Sequence, residues 1–268
     1  MLQRIVTGVV SAALLMLVMF FRGWVIDIAI VLVTMLGCHE MHKAFLQAGL
    51  HPARGTVFGM ALLMLPLYQL VGIVGIYLLG CSATLIIILQ ISLRKQPRWV
   101  DAAASLSVLV CVPVPLSMLY PILRIQPDML GAVFVFLVFA IALLGDTFAY
   151  FVGVTLGKHP MAPEVSPKKT WEGAAAGLLG SVAGAVVVGM SGVALTPMPP
   201  LWHFLVLGLV GGTAGQLGDL SASLMKRFCG IKDFGTMFPG HGGMMDRFDS
   251  IIFVSYVLFG YCMVAKLF

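Results

Sequence analysis

Charge is what this sequence has least of. Only 10% of its 268 residues are Asp, Glu, Lys or Arg, while 60% are hydrophobic and the mean hydropathy is +1.04. That balance argues against a soluble fold. Alternating apolar and polar residues are missing from the apolar runs, which argues against an outer-membrane barrel. Cysteine is sparse and unpaired in spacing. Cys38, Cys81, Cys111, Cys229 and Cys262 form neither a zinc pattern nor a disulfide framework, and most sit in apolar runs as small hydrophobes. No small-residue cleavage site follows the apolar stretch after Arg4, so that stretch reads as a retained first span. Repeats, low-complexity tracts and long linkers are absent. The net charge of +5 lies in loops and forms no basic stripe, which argues against a nucleic-acid partner.

What is present is a series of long apolar runs, each near the roughly 20 residues that cross a bilayer. The fold class is therefore an all-α polytopic membrane protein. Spans are expected near 5–21, 25–39, 56–71, 73–91, 104–121, 129–151, 173–191, 201–221 and 250–266, nine in all, or eight if one is interfacial or merged. Little more than Gly72 separates the third and fourth, so they suit a tight hairpin. Pro113, Pro115 and Pro121 make the fifth span the least regular, because proline removes a helix donor.

Placing the N-terminus in the cytoplasm and alternating puts thirteen basic residues inside and three outside, namely Arg22, Arg124 and Lys266. That is a strong positive-inside bias. It predicts a multi-pass protein of the inner (plasma) membrane with an outer C-terminus and both polar loops, 152–172 and 222–249, facing the cytoplasm. The chain reads as one integral-membrane domain, 1–268. Residues 1–125 look mainly like scaffold, and 126–268 form a catalytic half with motifs at 146–173 and 215–250. In that half Gly173 and Gly177, Gly180 and Gly184, Gly208 and Gly212, and Gly211 and Gly215 have spacings that let helices approach closely in lipid.

The polar residues concentrate between Ser223 and Asp249. This stretch holds Lys226, Arg227, Lys232, Asp233, Asp246, Arg247 and Asp249. Cations, carboxylates and a glycine turn together suit a phosphate ester and a divalent metal. Asp219, Ser223 and Lys226 fall on one helix face, one turn and then two turns apart. An interfacial salt bridge is the plainer use of that acid. Asp246 and Asp249 also share a face, and helix capping is their plainer use. The preceding Pro239, Gly240, His241, Gly242 and Gly243 run into a helix start, where exposed N–H groups attract anions. The run is not a P-loop, since the Gly-Lys-Ser/Thr ending is missing.

Upstream, Asp146 lies in the apolar run LLGDTFAYF. A carboxylate at a helix centre costs about 2.5–3.5 kcal/mol, so it usually lines a cavity or pathway, with a structural hydrogen bond as the alternative. The segment Ser166-Pro167-Lys168-Lys169-Thr170-Trp171-Glu172 brings two lysines to a membrane surface, where anchoring to anionic lipid is the plainer reading. His39, Glu40 and His42 lack the two-histidine zinc spacing and are expected at the interfacial surface.

These residues resemble the bacterial phosphatidate cytidylyltransferase (CDP-diacylglycerol synthase) family. The long signature is carried by Ser223, Met225, Lys226, Arg227, Lys232, Asp233, Gly235, Pro239, His241, Gly242, Gly243, Asp246, Arg247, Phe248 and Asp249, without departure. Ser166 to Gly173 resembles the family's second loop, and Asp146 to Tyr150 its intramembrane motif. The first half matches only in hydrophobic character.

The resemblance implies that CTP and phosphatidic acid give CDP-diacylglycerol and pyrophosphate, with Mg²⁺ as one or two cations, in phospholipid synthesis. It implies metal binding by Asp219 and Asp246, completed or oriented by Asp249 or Asp146. Lys226, Arg227, Lys232, Arg247 and His241, with the Gly242 and Gly243 amides, would hold the triphosphate, and Ser223 and Ser166 belong to the same phosphate-binding set. Lys168 and Lys169 would hold the lipid phosphate or complete the nucleotide pocket. A homodimer stays open. So do two other functions: a CTP-dependent polyprenol kinase, which would release CDP, and a cation transporter, which would show two related halves of discontinuous helices. The Asp-Gly-x-x-Ala-Arg pattern of alcohol phosphatidyltransferases is absent.

Overall fold

The computed structural model describes residues 23–192, 198–238 and 242–267. The expected first span near 5–21 lies outside them, as does His241. The elements, in chain order, are α1 Trp24–Gln47, α2 Arg54–Val71, α3 Ile73–Ser92, α4 Trp99–Cys111, α5 Pro113–Ser117, α6 Leu119–Leu123, α7 Asp128–Thr155, β1 Pro160–Ala162, β2 Ser166–Thr170, α8 Trp171–Gly192, α9 Leu201–Phe228 and α10 Met245–Val264. Among the described residues eight helical stretches are long and apolar enough to cross a membrane, counting α4 to α6 as one. Each coincides with one of the eight remaining expected spans, and the protein is a multi-span membrane protein.

Local chemistry sets the breaks. Gly72, at φ 66°, is the only residue between α2 and α3, so the expected hairpin is as tight as the sequence suggested. Pro113 starts α5 after Cys111 ends α4, and the fifth span is three short helices rather than one. At the end of α9, Gly230 takes φ 67° and the Ile231 N–H returns to the Lys226 carbonyl at 2.9 Å. This closes the helix with a Schellman turn.

The chain divides into two compact units. One comprises Met1–Tyr120 with Lys226–Phe248, the other Pro121–Met225 with Asp249–Phe268. The division does not follow the two halves of the sequence: the segment 226–248, from the motif-rich half, groups with the N-terminal helices. Both α9 and α10 are cut by the boundary, after Met225 and after Phe248.

The first unit has a core of Met41, Met60, Met64, Ile87 and Val108, all buried. Its loops are pinned by buried Asp101, which accepts the His51 N–H at 2.8 Å and pairs with Arg94 at 3.3 Å.

In the second unit α7 and α8 form an antiparallel pair held at contact distance by glycine. A side chain on Gly180 would strike the Leu144 carbonyl at 2.6 Å, and one on Gly184 the Ala140 carbonyl at 2.9 Å. Gly208 and Gly212 of α9 meet Val182 and Ser181 of α8 in the same way, at 2.6 Å each. The expected small-residue contacts are therefore present, and buried Ser181 adds a hydrogen bond to the Ile141 carbonyl at 2.9 Å. On the outer faces Leu179, Val187 and Leu209 stay exposed, as lipid-facing side chains should.

Candidate active site

Asp246 is the centre of the first unit's polar cluster. It lies in the first turn of α10 and is 8% exposed. Its Oδ2 accepts the N–H of Phe234 at 2.8 Å and of Gly243 at 2.9 Å, and its Oδ1 accepts Lys226 Nζ at 2.8 Å. The bond to Gly243 is a helix-capping bond made from inside the helix. The bond to Phe234 ties down the loop that follows α9. The Lys226 ammonium also stands 5.4 Å from the Phe234 ring centroid, within cation–π range.

Gly242, at φ 80°, closes the turn by accepting the Phe238 N–H at 2.9 Å. A side chain there would be strained and would meet Asp246, with its Cβ 3.1 Å from the Asp246 Cγ. Arg227, Lys232 and Arg247 are exposed around this cluster. Burial raises the Cys229 thiol pKa, which keeps that cysteine an inert hydrophobe.

Glu40 was expected at the interfacial surface with His39 and His42, and the structure corrects this. Glu40 is 8% exposed, and its two oxygens accept the N–H groups of Met244 at 2.9 Å and Met245 at 2.8 Å. His39 is exposed, while half-buried His42 packs edge-on against Phe58. A signal for Glu40 existed. Like Asp146 it is a carboxylate in an apolar helix, but the flanking histidines and Lys43 make it look interfacial.

The second unit gathers three of the predicted aspartates. Ser250 Oγ lies 3.0 Å from Asp146 Oδ2 and 3.5 Å from Asp249 Oδ1, so one hydroxyl of α10 links a carboxylate of α7 to one of α10. Asp249 also accepts the Ser250 N–H at 2.8 Å. Gly218 lets the α9 backbone reach that point: its side-chain position lies 2.5 Å from the Asp249 carbonyl. Asp219, next in sequence, pairs with Lys169 Nζ at 2.9 Å. A small cleft opens beside Asp146, Ser181, Gln216 and Ser250.

Lys169 arrives on a hairpin that the sequence did not suggest. Strand β1 pairs antiparallel with β2 through an irregular register, Pro160 opposite Thr170 and Ala162 opposite Ser166. The hairpin is clamped at its base. Thr170 Oγ1 accepts the Gly173 N–H at 3.1 Å, capping α8. Glu172 accepts the N–H groups of Lys158 and His159 and pairs with the His159 ring. Glu172 therefore does more than sit in a first helical turn. Lys168 is exposed at the hairpin and Ser166 half-buried.

Comparison with known proteins gives the family. A family model described as the cytidylyltransferase family matches residues 2–265. The chain belongs to that family. Proteins named phosphatidate cytidylyltransferase resemble it. That of Synechocystis sp. is 30% identical over 286 residues, covering 96% of this chain and 94% of that protein. That of Staphylococcus epidermidis is 35% identical over 204 residues, 75% of each chain. That of Mycobacterium bovis is 39% identical over 148 residues, 55% of this chain and 47% of that protein. The chain spans about half the length of the mycobacterial and Bacillus subtilis relatives it matches.

In this cytidylyltransferase-family chain the predicted residues thus fall into two clusters. Lys226, Asp246, Gly242 and Gly243 meet in the first unit. In the second, Asp146 and Asp249 meet through Ser250, and Asp219 pairs with Lys169. Ser250 and Glu40 are the additions that sequence reading did not supply. Among the described residues no group of three or more His, Cys, Asp or Glu stands ready-made for a metal ion.

Proposed function

We propose that this protein is a phosphatidate cytidylyltransferase. A phosphate oxygen of phosphatidic acid attacks the α-phosphorus of CTP. A new P–O bond forms, the bond to the bridging oxygen of the β-phosphate breaks, and pyrophosphate leaves with the electron pair. The attacking phosphate is already anionic, so positioning and charge neutralisation supply the catalysis and no general base is needed.

The observation that carries this reading is the lysine–carboxylate pairing found in each cluster, Lys169 with Asp219 and Lys226 with Asp246. Both lysines sit by the ends of apolar helices, where an acyl-chain substrate presents its phosphate. A phosphate oxygen competes with the carboxylate for each lysine. The triphosphate is assigned to Lys226, Arg227, Lys232 and Arg247, with His241, Ser223 and the Gly242 amide; the Gly243 amide, also expected there, is already taken by Asp246. Ser166, Lys168 and Lys169 of the hairpin serve the lipid phosphate or the nucleotide.

Magnesium is the proposed cofactor, and the donor chemistry fits it. Asp146 and Asp249 offer carboxylate oxygens about one hydroxyl, and Asp219 follows the glycine that packs on Asp249. Mg²⁺ takes oxygen ligands and keeps several waters, so few carboxylates suffice. Asp219 and Asp246 would hold it, with Asp249 and Asp146 completing the set. Bound magnesium supplies neutralisation of phosphate charge.

The catalytic loops are assigned to the cytoplasmic face of the inner membrane, from the thirteen-to-three distribution of basic residues. The test is an assay of detergent-purified protein with phosphatidic acid, labelled CTP and Mg²⁺. Equal amounts of CDP-diacylglycerol and pyrophosphate, lost with EDTA, are expected. CDP released with a polyprenol acceptor would instead identify the kinase. No nucleotide turnover by folded protein would point back to a transporter.

A further inference from the structure

The N-terminal helices look like scaffold, yet one of them reaches into the polar cluster. Glu40 of α1 accepts the N–H groups of Met244 and Met245, 204 and 205 residues away. Asp246 accepts the N–H of Gly243. Three successive amides at the start of α10 are thus fixed by two carboxylates, one from each end of the sequence. The fit around Glu40 is tight. A side chain on Gly235 would come within 2.8 Å of the Glu40 Cδ, and one on Gly243 within 2.5 Å. These two glycines lie on either side of the turn, so the Glu40 carboxylate fills the space that their missing side chains leave.

We propose that Glu40 is a positioning residue: it sets the Gly242–Gly243 turn and the first turn of α10, and through them the Asp246 carboxylate and its Lys226 partner, for the triphosphate of CTP. This rests on the cytidylyltransferase reading above. A carboxylate suits the task because it presents two acceptor oxygens in one plane, and its charge strengthens both bonds. Burial removes the competing water. No other side chain of similar size offers two such acceptors: glutamine turns one into a donor, which would face an N–H.

The test uses the full chain in detergent and compares wild type with Glu40→Gln and Glu40→Leu. The readouts are kcat, KM for CTP, KM for phosphatidic acid and thermal unfolding. Glu40→Gln keeps one acceptor and should lose about tenfold in kcat/KM for CTP, and Glu40→Leu about a hundredfold. KM for phosphatidic acid should hardly move. Wild-type kcat/KM for CTP in folded Glu40→Leu, or equal losses for both substrates, would overturn the positioning role. Should both variants fail to fold, coupling decides. Gly243→Ala should impair CTP use by pushing Glu40 aside, and Glu40→Asp in the same chain, one methylene shorter, should restore part of it. A double variant no better than the product of the two single losses overturns the proposal. A wild type that makes no CDP-diacylglycerol overturns both this and the functional reading, whereas an active wild type with an indifferent Glu40 overturns this alone.

Discussion

The two polar clusters use the same residue types in different ways. In the first unit, Asp246 and Glu40 together accept four backbone N–H groups, and Lys226 is the fifth donor. In the second, Asp219 answers a lysine side chain, and Asp146 meets Asp249 through a serine hydroxyl. Removing a carboxylate from the first cluster releases a loop and a helix start. Removing one from the second releases mainly side chains, the Ser250 N–H held by Asp249 excepted, and the helices stay packed through glycine contacts. The first cluster fixes a loop and a helix start besides carrying its proposed ligand groups, whereas the second links mainly side chains. Substitution should therefore separate stability from turnover.

The largest separation is expected in the second unit. Asp219→Asn and Asp249→Asn should each lower CDP-diacylglycerol formation by about 10³-fold or more, the scale of losing several kcal/mol of charge stabilisation. Asp219 is a third exposed and its pair with Lys169 is partly solvated, so the stability cost of Asp219→Asn should stay below about 1 kcal/mol. Initial rates and thermal unfolding on the same preparation check this. Substantial turnover in either variant would remove that aspartate from the metal set.

Asp246→Asn should behave differently. Lys226 and Asp246 are 12% and 3% exposed at the side chain, and removing one partner of a buried pair costs about 3 kcal/mol or more. Turnover and unfolding temperature should fall together, and added salt should rescue neither, because a buried pair is poorly screened. Lost turnover with an unchanged unfolding temperature would dissolve the distinction between the clusters and leave Asp246 with its proposed metal role alone, as for Asp219.

How much of this the sequence disclosed follows from the range of the forces involved. Span positions were legible because bilayer thickness imposes a length on apolar runs. The α2–α3 hairpin and the broken fifth span were legible because Gly72 and the prolines act locally. Asp146, Asp219, Asp246 and Asp249 stood out because carboxylates are rare in apolar surroundings. The hairpin of 160–170 was hidden, since a three-residue strand has no periodicity to detect and Lys168 and Lys169 imitate a membrane anchor. Glu40 was hidden for another reason. Its partners are backbone N–H groups two hundred residues away, and a backbone amide leaves no mark on the sequence.

The smallest expected effect lies at Lys169, and it tests whether the second cluster really holds a ligand. Lys169 and Asp219 side chains are 23% and 33% exposed, so Lys169→Met should change stability by less than about 1 kcal/mol. If Lys169 only neutralises Asp219, turnover should change as little. If it binds a substrate phosphate, one charge-assisted hydrogen bond is lost, worth about 1.5–3 kcal/mol, or roughly ten- to hundredfold in kcat/KM for the substrate it touches. The substrate whose kcat/KM falls identifies the phosphate: CTP alone would place the hairpin over the nucleotide, and phosphatidic acid alone over the lipid head. A loss shared equally would mean that Lys169 acts through Asp219, and the hairpin would then hold a shape rather than a phosphate.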